Sequence, residues 1–306
     1  MMKLAPVCLF TYNRFNETKR TLEALKKNFL SGESDLFIFS DGPKNGKSAV
    51  RVKAIREYLQ AIDGFKSVSI VESKENKGLA DSIISGVTEV LEKHKSVIVL
   101  EDDLITTPNF LDFMNQGLSF YENVEKIFSI SGYTLDLPTL KTYDKDFYFG
   151  YRASSWGWAT WKNRWDNVDW DVKDYSSFNK NFKMRHEFMR GGSDLPRMLN
   201  KQMNGKLDSW AIRWVYDQFK KNTVTVFASK SKVLSIGFDH NSTNTTKTSS
   251  KRFETTLDDS KQRNFMFDDK VEMNKILNKE FKNKFSFANR LMKKVNSIFI
   301  NYNGTN

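Results

Sequence analysis

Short apolar runs of strand length alternate with apolar stripes at helical spacing along the first hundred residues. The runs are residues 6–12 (PVCLFTY), 35–40 (DLFIFS), 68–71 (VSIV) and 96–100 (SVIVL). The stripes lie in residues 13–29, 49–62 and 79–94. Because residues 96–100 have no alternating polar positions, they predict a strand buried on both faces. Strands and helices in alternation are typical of βαβ units, so the sequence predicts an α/β fold with a mostly parallel, helix-flanked sheet.

The tryptophan-rich segment 154–165 (SSWGWATWKNRW) has two interpretations. Trp158, Trp161 and Trp165 are spaced for one face of a buried helix. Gly157, between Trp156 and Trp158, is instead typical of a loop in which backbone approaches a ligand, and indole rings suit the apolar face of a sugar. The pattern leaves both interpretations open for Trp156 and Trp158.

The chain has 306 residues, a net charge of +11 and one cysteine, Cys8, which lies in an apolar run and predicts an inert core thiol. No apolar run reaches the ~20 residues that a membrane span needs, and residues 1–10 do not resemble a signal peptide. We therefore expect a cytoplasmic protein. The positive charge favours anionic lipid surfaces or phosphorylated ligands; no nucleic-acid module accompanies it, so we expect no nucleic-acid partner.

Three adjacent acids, Glu101, Asp102 and Asp103, follow the strand predicted at residues 96–100. In open α/β sheets, ligands bind at the carboxyl ends of the strands. Three neighbouring carboxylates repel one another, and a hard divalent cation that carries a phosphorylated ligand would offset their charge. A solvated acidic turn is the alternative interpretation.

Other predicted strands also end in polar or flexible residues. These candidates for ligand binding are Thr11, Asn13, Arg14, Asp41, Lys77 and Gly78. An aspartate after the second strand accepts hydrogen bonds from a base or ribose, and Arg14 or Lys77 suits a phosphate. Each pattern alone is equally typical of an ordinary turn. The sequence has no G-x-G-x-x-G motif and no Walker lysine loop, which argues against a dinucleotide dehydrogenase and a P-loop ATPase.

Taken in order, the segments TYNR, FSDG, ENKGLA, VIVLEDDL with TTPNFLDF, and SSWGWATW resemble nucleotide-sugar glycosyltransferases of the GT-A fold. They are similar to bacterial family-2-like transferases and, around EDDLITTPNF and GWATW, to the eukaryotic N-acetylglucosaminyltransferases of N-glycan and O-mannosyl glycan synthesis. The likeness covers residues 6–244. It implies an inverting transfer that depends on Mn2+ or Mg2+. A hexosyl or N-acetylhexosaminyl group would leave a nucleoside diphosphate, which we expect to be UDP. The implied acceptor is a glycan or lipid-linked saccharide in bacterial polysaccharide biosynthesis.

The resemblance also implies roles for individual residues. Asp103 matches the metal-binding aspartate, and Glu101 and Asp102 match the positions that face ribose and donor sugar. Asp41 matches a nucleotide-contacting aspartate. The wall of the nucleotide site corresponds to Asn13, Arg14 and Gly78, and the sugar and acceptor pocket to Trp156, Gly157 and Trp158.

An inverting transfer needs a general base opposite the leaving diphosphate. The segment KLDSWAIRW resembles the catalytic-aspartate helix of the family, which makes Asp208 the candidate base and Asp171 the reserve. Aspartate is also a common helix N-cap, which is the structural alternative for Asp208. His240 matches a C-terminal loop histidine that completes the metal site, although its Ser/Thr/Asn-rich surroundings depart from the family pattern.

We expect residues 1–246 to form the catalytic domain and residues 247–306 a polar loop with a basic helical extension. Phe281, Phe285, Met292 and Phe299 mark one face of that extension. Such a helix either packs on the domain or contacts the inner face of the membrane peripherally. Two other functions remain in view: a sugar-phosphate nucleotidyltransferase, and a non-catalytic basic protein that binds membrane surfaces or nucleic acid.

Overall fold

The structure, a computed structural model, describes residues 3–237 and 252–286. Its main sheet consists of β1 (Val7–Thr11), β2 (Asp35–Ser40), β3 (Ser67–Glu72), β4 (Ser96–Glu101), β6 (Ile127–Ser131), β7 (Phe147–Gly150), β8 (Trp158–Trp161) and β9 (Val224–Ala228). A second sheet pairs β5 (Leu104–Thr106) with β10 (Val233–Ser235) in antiparallel fashion.

The strand order in the main sheet is β3-β2-β1-β4-β8-β6-β9-β7. Strands β3, β2, β1 and β4 are parallel, β8 runs antiparallel to β4 and β6, and β9 is again parallel to β6. Only β8 and the edge strand β7 oppose the common direction. The prediction of a mostly parallel α/β sheet is therefore confirmed.

Helices connect the parallel strands and cover the sheet. They are α1 (Phe15–Lys26), α2 (Gly46–Leu59), α3 (Leu79–Lys93), α4 (Phe110–Phe120), α5 (Lys162–Trp165), α6 (Tyr175–Lys180), α7 (Phe182–Phe188), α8 (Leu195–Met203), α9 (Trp210–Lys220) and α10 (Lys275–Lys284). Asn45 caps α2 through a reciprocal side-chain arrangement with Ser48, which explains why that helix begins before the predicted start at residue 49.

Strand β4 lies at the centre of the core, as its unbroken apolar run predicts. Ile98 and Leu100 face one apolar layer, and Val97 and Val99 face the other, all with no exposed surface. Cys8 in β1 is also fully buried, and burial raises the pKa of its thiol well above the ordinary value. The core thiol prediction is confirmed.

The helix interpretation of the tryptophan-rich segment is wrong. Trp158 and Trp161 belong to β8, and only a single helical turn, α5, follows and ends at Trp165. Residues three apart on a strand point to opposite faces, so Trp161 enters the layer with Ile98 while Trp158 enters the layer with Val97. The spacing fits a helix, but Trp161 is buried in one layer while Trp158 and Trp165 are buried in the other.

The described part of the C-terminal segment packs on the same core. Phe265, Phe281 and Phe285 are buried in the apolar layer that contains β1 and β4. Asp258 forms a buried ion pair with Lys232, the residue that precedes β10. Met292 and Phe299 of the predicted apolar face lie outside the described residues. Among the residues that the structure describes, no helix has the length and apolarity that crossing a bilayer requires.

Candidate active site at the carboxyl edge of the sheet

The carboxyl end of β4 brings the three acids to one edge of the sheet. Strand β1 runs parallel beside β4, with Phe10 opposite Glu101, so Thr11 and the residues after it lie next to the acids. Strand β8 runs the other way, with Trp158 opposite Val99, so Trp156 and Gly157 lie at the same edge. The sheet therefore gathers candidates from distant parts of the sequence.

Arg14 connects the acids to the end of β1. Its Nη1 donates to Asp103 Oδ2 at 2.9 Å, and its Nη2 donates to Asp102 Oδ1. The backbone N–H of Tyr12 also lies 3.4 Å from Asp102 Oδ2. One guanidinium thus serves two carboxylates while Glu101 adjoins them, which leaves a surplus of negative charge.

Burial, together with this surplus, shifts the protonation of the acids. Burial and the carboxylates of Asp103 and Asp102 raise the pKa of Glu101 to about 8, although Arg14 opposes the shift. Burial likewise raises the pKa of Asp102 to about 6 against the lowering effect of Arg14. The site favours an additional positive charge, because another cation would stabilise the ionised acids.

Gly237, which no sequence pattern assigns to the site, lies directly against Asp103. A Cβ atom on residue 237 would come within 1.8 Å of Asp103 Oδ2 and 2.9 Å of Arg14 Nη1. The chain is held there because Ile236 N donates to the Asp103 carbonyl at 2.8 Å, directly beyond the pairing of Ser235 with Leu104. Only glycine allows this approach. The sequence around Gly237, SIGF, does not indicate a site residue. The close backbone contact in the structure does.

Asp41 organises the loop before α3. Its carboxylate accepts hydrogen bonds from Lys77 N at 2.8 Å, Gly78 N at 3.1 Å and Asn76 Nδ2 at 2.8 Å. Asp41 is also buried. These contacts give Asp41 a structural role at the site, while the predicted contact with a nucleotide stays a prediction.

Asp208 lies beside the same loop. An ideal Cβ on Gly78, whose φ is +79°, would lie 3.8 Å from Asp208 Oδ2. The structural alternative for Asp208, an N-cap role, is wrong: the cap of α9 is Ser209, whose side chain accepts from Ile212 N. Asp208 is exposed, so its carboxylate is available at the edge of the site.

The other predicted donor-binding residues differ in their surroundings. Thr11 is buried, and its hydroxyl has no hydrogen-bond partner within the described residues, so a polar atom remains for a ligand or water. Asn13 is partly exposed next to Arg14, and the side chain of Lys77 is exposed. Their positions fit a donor site, and their contacts with a donor stay predictions.

The two candidate tryptophans have separate roles. Trp156 is partly exposed and packs against Tyr133 and Phe253, with ring centroids 4.7 and 5.1 Å away. Gly157 has a φ of +56°, and a Cβ there would come within 2.5 Å of Val233 Cγ2. Trp158 has no exposed surface. The structure therefore corrects the assignment of Trp158 to the sugar pocket, because a fully buried indole offers no face to a sugar.

The remaining two candidates are Asp171 and His240. Asp171 is exposed next to Trp170, whose carbonyl accepts from Arg213 in α9. His240 lies outside the described residues. Both assignments stay predictions.

The acid cluster suits a cation whose remaining ligands are phosphate oxygens and water. Within residues 3–237 and 252–286, no group of three or more His, Cys, Asp or Glu side chains is arranged to hold a metal. Asp103 Oδ1, however, has no hydrogen-bond partner in this part of the chain, and the carboxylates of Asp102 and Asp103 share a single guanidinium. Mg2+ and Mn2+ accept one or two carboxylates when phosphate and water complete the shell. The residues therefore fit a metal–diphosphate ligand.

Comparisons with known proteins give distant matches. No family model matches the chain, and no curated protein matches it. Solved structures that match include S. aureus TarS 1-349, with 9% identity and a TM-score of 0.41 over 75% of this chain. This chain spans 59% of that one. Another is the mannosyltransferase PcManGT from Pyrobaculum calidifontis in complex with GDP-Man and Mn2+, with 9% identity, a TM-score of 0.41, and 72% and 73% of the two chains covered.

Proposed function

We propose that this protein is an inverting, metal-dependent glycosyltransferase. It transfers a hexosyl or N-acetylhexosaminyl group from a nucleoside diphosphate to a hydroxyl of a glycan or lipid-linked saccharide. We expect the nucleoside diphosphate to be UDP. The observation that carries this proposal is the convergence of Asp103, Arg14, Gly78 and Asp208 on one edge of the sheet. Such a transfer requires a cation that binds the leaving diphosphate and a free carboxylate that accepts the proton of the acceptor hydroxyl.

The diphosphate end of the donor is assigned to the acids and Arg14. A divalent cation on Asp103 would offset the charge that develops on the leaving diphosphate. Arg14, with five donors in a planar fork, suits phosphate oxygens as well as the carboxylates it contacts here. Because residue 237 is a glycine, no side chain lies between its loop and the Asp103 carboxylate.

Asp208 is the proposed general base. As the acceptor oxygen attacks the anomeric carbon, the carboxylate takes the hydroxyl proton and the bond from that carbon to the diphosphate oxygen breaks. The neighbouring Gly78 carries no side chain that would block the carboxylate. Because Ser209 caps α9, Asp208 is not required to hold the helix N-terminus.

Trp156 is the proposed platform for the sugar or acceptor. Its contacts with Tyr133 and Phe253 fix the ring, while part of its surface stays exposed. Indole faces pack well against the apolar face of a pyranose. Trp158 supports this loop from the core and is not assigned a contact with substrate.

The proposal is tested by a screen of nucleoside-diphosphate sugars for metal-dependent hydrolysis. We expect one donor to be hydrolysed slowly with Mn2+ or Mg2+ and not after the metal is chelated. If the full set of UDP-, GDP-, CDP- and TDP-sugars gives neither hydrolysis nor a thermal shift with either metal, the transferase proposal is wrong. Release of pyrophosphate from a nucleoside triphosphate and a sugar phosphate would instead indicate a nucleotidyltransferase.

A further inference from the structure

Three short helices, α6, α7 and α8, form one lobe that packs beside α9. Their buried side chains, Phe178, Phe188, Leu195 and Leu199, lie in the apolar layer that also contains Trp210 and Trp214 of α9. Asn200 Nδ2 of α8 donates to the Tyr175 hydroxyl of α6 at 2.7 Å, which ties the lobe together. The lobe ends just before Asp208.

This lobe is strongly basic. Residues 173–206 contain eight Lys or Arg and three Asp or Glu, so their net charge is +5. Two of these acids have partners: Asp194 pairs with Arg152, and Asp174 with Lys220. Six cations are exposed and form no ion pair with the described residues: Lys173, Lys180, Lys183, Arg197, Lys201 and Lys206.

An aromatic side chain projects from the same lobe. Phe182, at the start of α7, is 82% exposed, more than the other exposed large apolar side chains of the described residues. Lys183 and Lys180 lie one and two positions from it, and the guanidinium carbon of Arg185 lies 5.9 Å from its ring centroid. An exposed phenylalanine among unpaired cations matches the two parts of a bilayer interface, apolar acyl chains and anionic headgroups.

We propose that the α6–α8 lobe docks the protein on an anionic lipid bilayer, with Phe182 inserted at the headgroup boundary. A polyanion in solution would use the cations but would leave Phe182 without an apolar partner, so the observations favour the bilayer. This inference does not require the proposed function, since membrane binding is measured without donor or acceptor.

The test is sedimentation of the full chain with vesicles of phosphatidylcholine, alone or mixed with phosphatidylglycerol. We expect binding to the mixed vesicles that weakens with salt. Phe182→Ser should weaken it by about tenfold or more, and Lys180→Glu with Lys183→Glu by at least about 25-fold, or about fivefold for each lysine. Val50→Ser with Lys53→Glu, on the exposed face of α2, is the matched control and should bind as the unchanged protein does.

Four results would overturn the proposal. The first is equal binding to both kinds of vesicle, or none to either. The second is binding that a soluble polyanion abolishes and Phe182→Ser leaves unchanged, which indicates a polyanion site. The third is sedimentation without vesicles that Phe182→Ser abolishes, which indicates self-association. The fourth is binding that is lost when the charges of Arg290, Lys293 and Lys294 are reversed but is unchanged by Phe182→Ser and by Lys180→Glu with Lys183→Glu.

Discussion

Gly237 lies so close to Asp103 that no larger residue fits between the loop and the carboxylate. A Cβ atom on residue 237 would be 1.8 Å from Asp103 Oδ2, far inside any permitted contact. The loop after β10 and the acid after β4 are therefore parts of one site, although 134 positions separate them in the sequence. The metal and the diphosphate are proposed to bind beside this contact.

Gly237→Ala should disturb this site and leave most of the fold intact. The added methyl forces Asp103 or the loop to move, so we expect metal-dependent UDP affinity to fall by about tenfold or more, while the unfolding free energy falls by about 1–3 kcal/mol. Gly32→Ala is the control, because a Cβ there meets nothing within 4 Å. Calorimetric titration and urea unfolding measure the two effects. Unchanged UDP affinity in Gly237→Ala would separate Gly237 from the site.

Asp208→Asn should remove catalysis and keep donor binding. The amide has nearly the shape of the carboxylate but accepts no proton at neutral pH, so transfer should fall by about 100- to 10,000-fold. UDP affinity should change by less than about threefold. Asp171→Asn serves as the matched variant, and transfer assays with a hydrolysis-competent donor compare the two. Full transfer activity in Asp208→Asn would assign the base elsewhere, and its loss in Asp171→Asn alone would favour the reserve candidate.

The stability of the ligand-free protein should fall as the pH rises from about 4.5 to about 8, owing to Glu101. Its pKa is raised to about 8 in the folded protein, so across this range the folded state holds a proton that the unfolded chain has released. Glu101→Gln should therefore gain roughly 1–3 kcal/mol in unfolding free energy at pH 8 relative to the unchanged protein, and much less at pH 5. Urea unfolding at both pH values measures this. An equal effect of Glu101→Gln at both would contradict the assignment.

The buried pair of Lys232 and Asp258 should stabilise the protein strongly against loss of one partner. Burial opposes ionisation of Asp258, but hydrogen bonds from Lys232, Asn109 and Ser260 lower its pKa to about 2. Its contribution is complete above the ordinary aspartate pKa and is lost as the pH falls toward 2. Asp258→Asn leaves the lysine charge buried and should cost about 3–5 kcal/mol at pH 7.

The control for this pair is the exposed contact between Lys53 and Glu57, 3.8 Å apart on α2. Glu57→Gln should change the unfolding free energy by less than about 1 kcal/mol. Urea unfolding at pH 7 compares the two variants. A loss below about 1 kcal/mol in Asp258→Asn would mean that the buried pair does not hold the C-terminal segment on the core.

The sequence predicts most of the sheet because its central strands have one physical requirement. The run at residues 96–100 is buried on both faces, and an unbroken apolar run is the pattern that such burial demands. The tryptophan-rich segment was ambiguous, because the spacing of its tryptophans fits a helix as well as a strand with two covered faces. Tertiary packing decided between these, with Trp158 and Trp161 in different layers.

The candidate site was predictable where residues carry charge at a strand end, and not where backbone packing matters. The acids after β4 and Arg14 after β1 meet because parallel neighbours end at one edge. Gly237 gave no signal, because a glycine in a loop has many explanations. Aspartate and serine are both good caps, so sequence alone did not reveal that Ser209, and not Asp208, caps α9.

Whether Asp103 binds the metal and the diphosphate is tested by calorimetric titration of UDP in the presence of Mn2+, with the unchanged protein and with Asp103→Asn. The substitution keeps the side-chain shape and removes its charge, and Asp136→Asn at an exposed position is the control. We expect metal-dependent binding that Asp103→Asn weakens by at least about 100-fold and that the control leaves unchanged. Equal affinity of Asp103→Asn and the unchanged protein for UDP with Mn2+ would contradict this expectation.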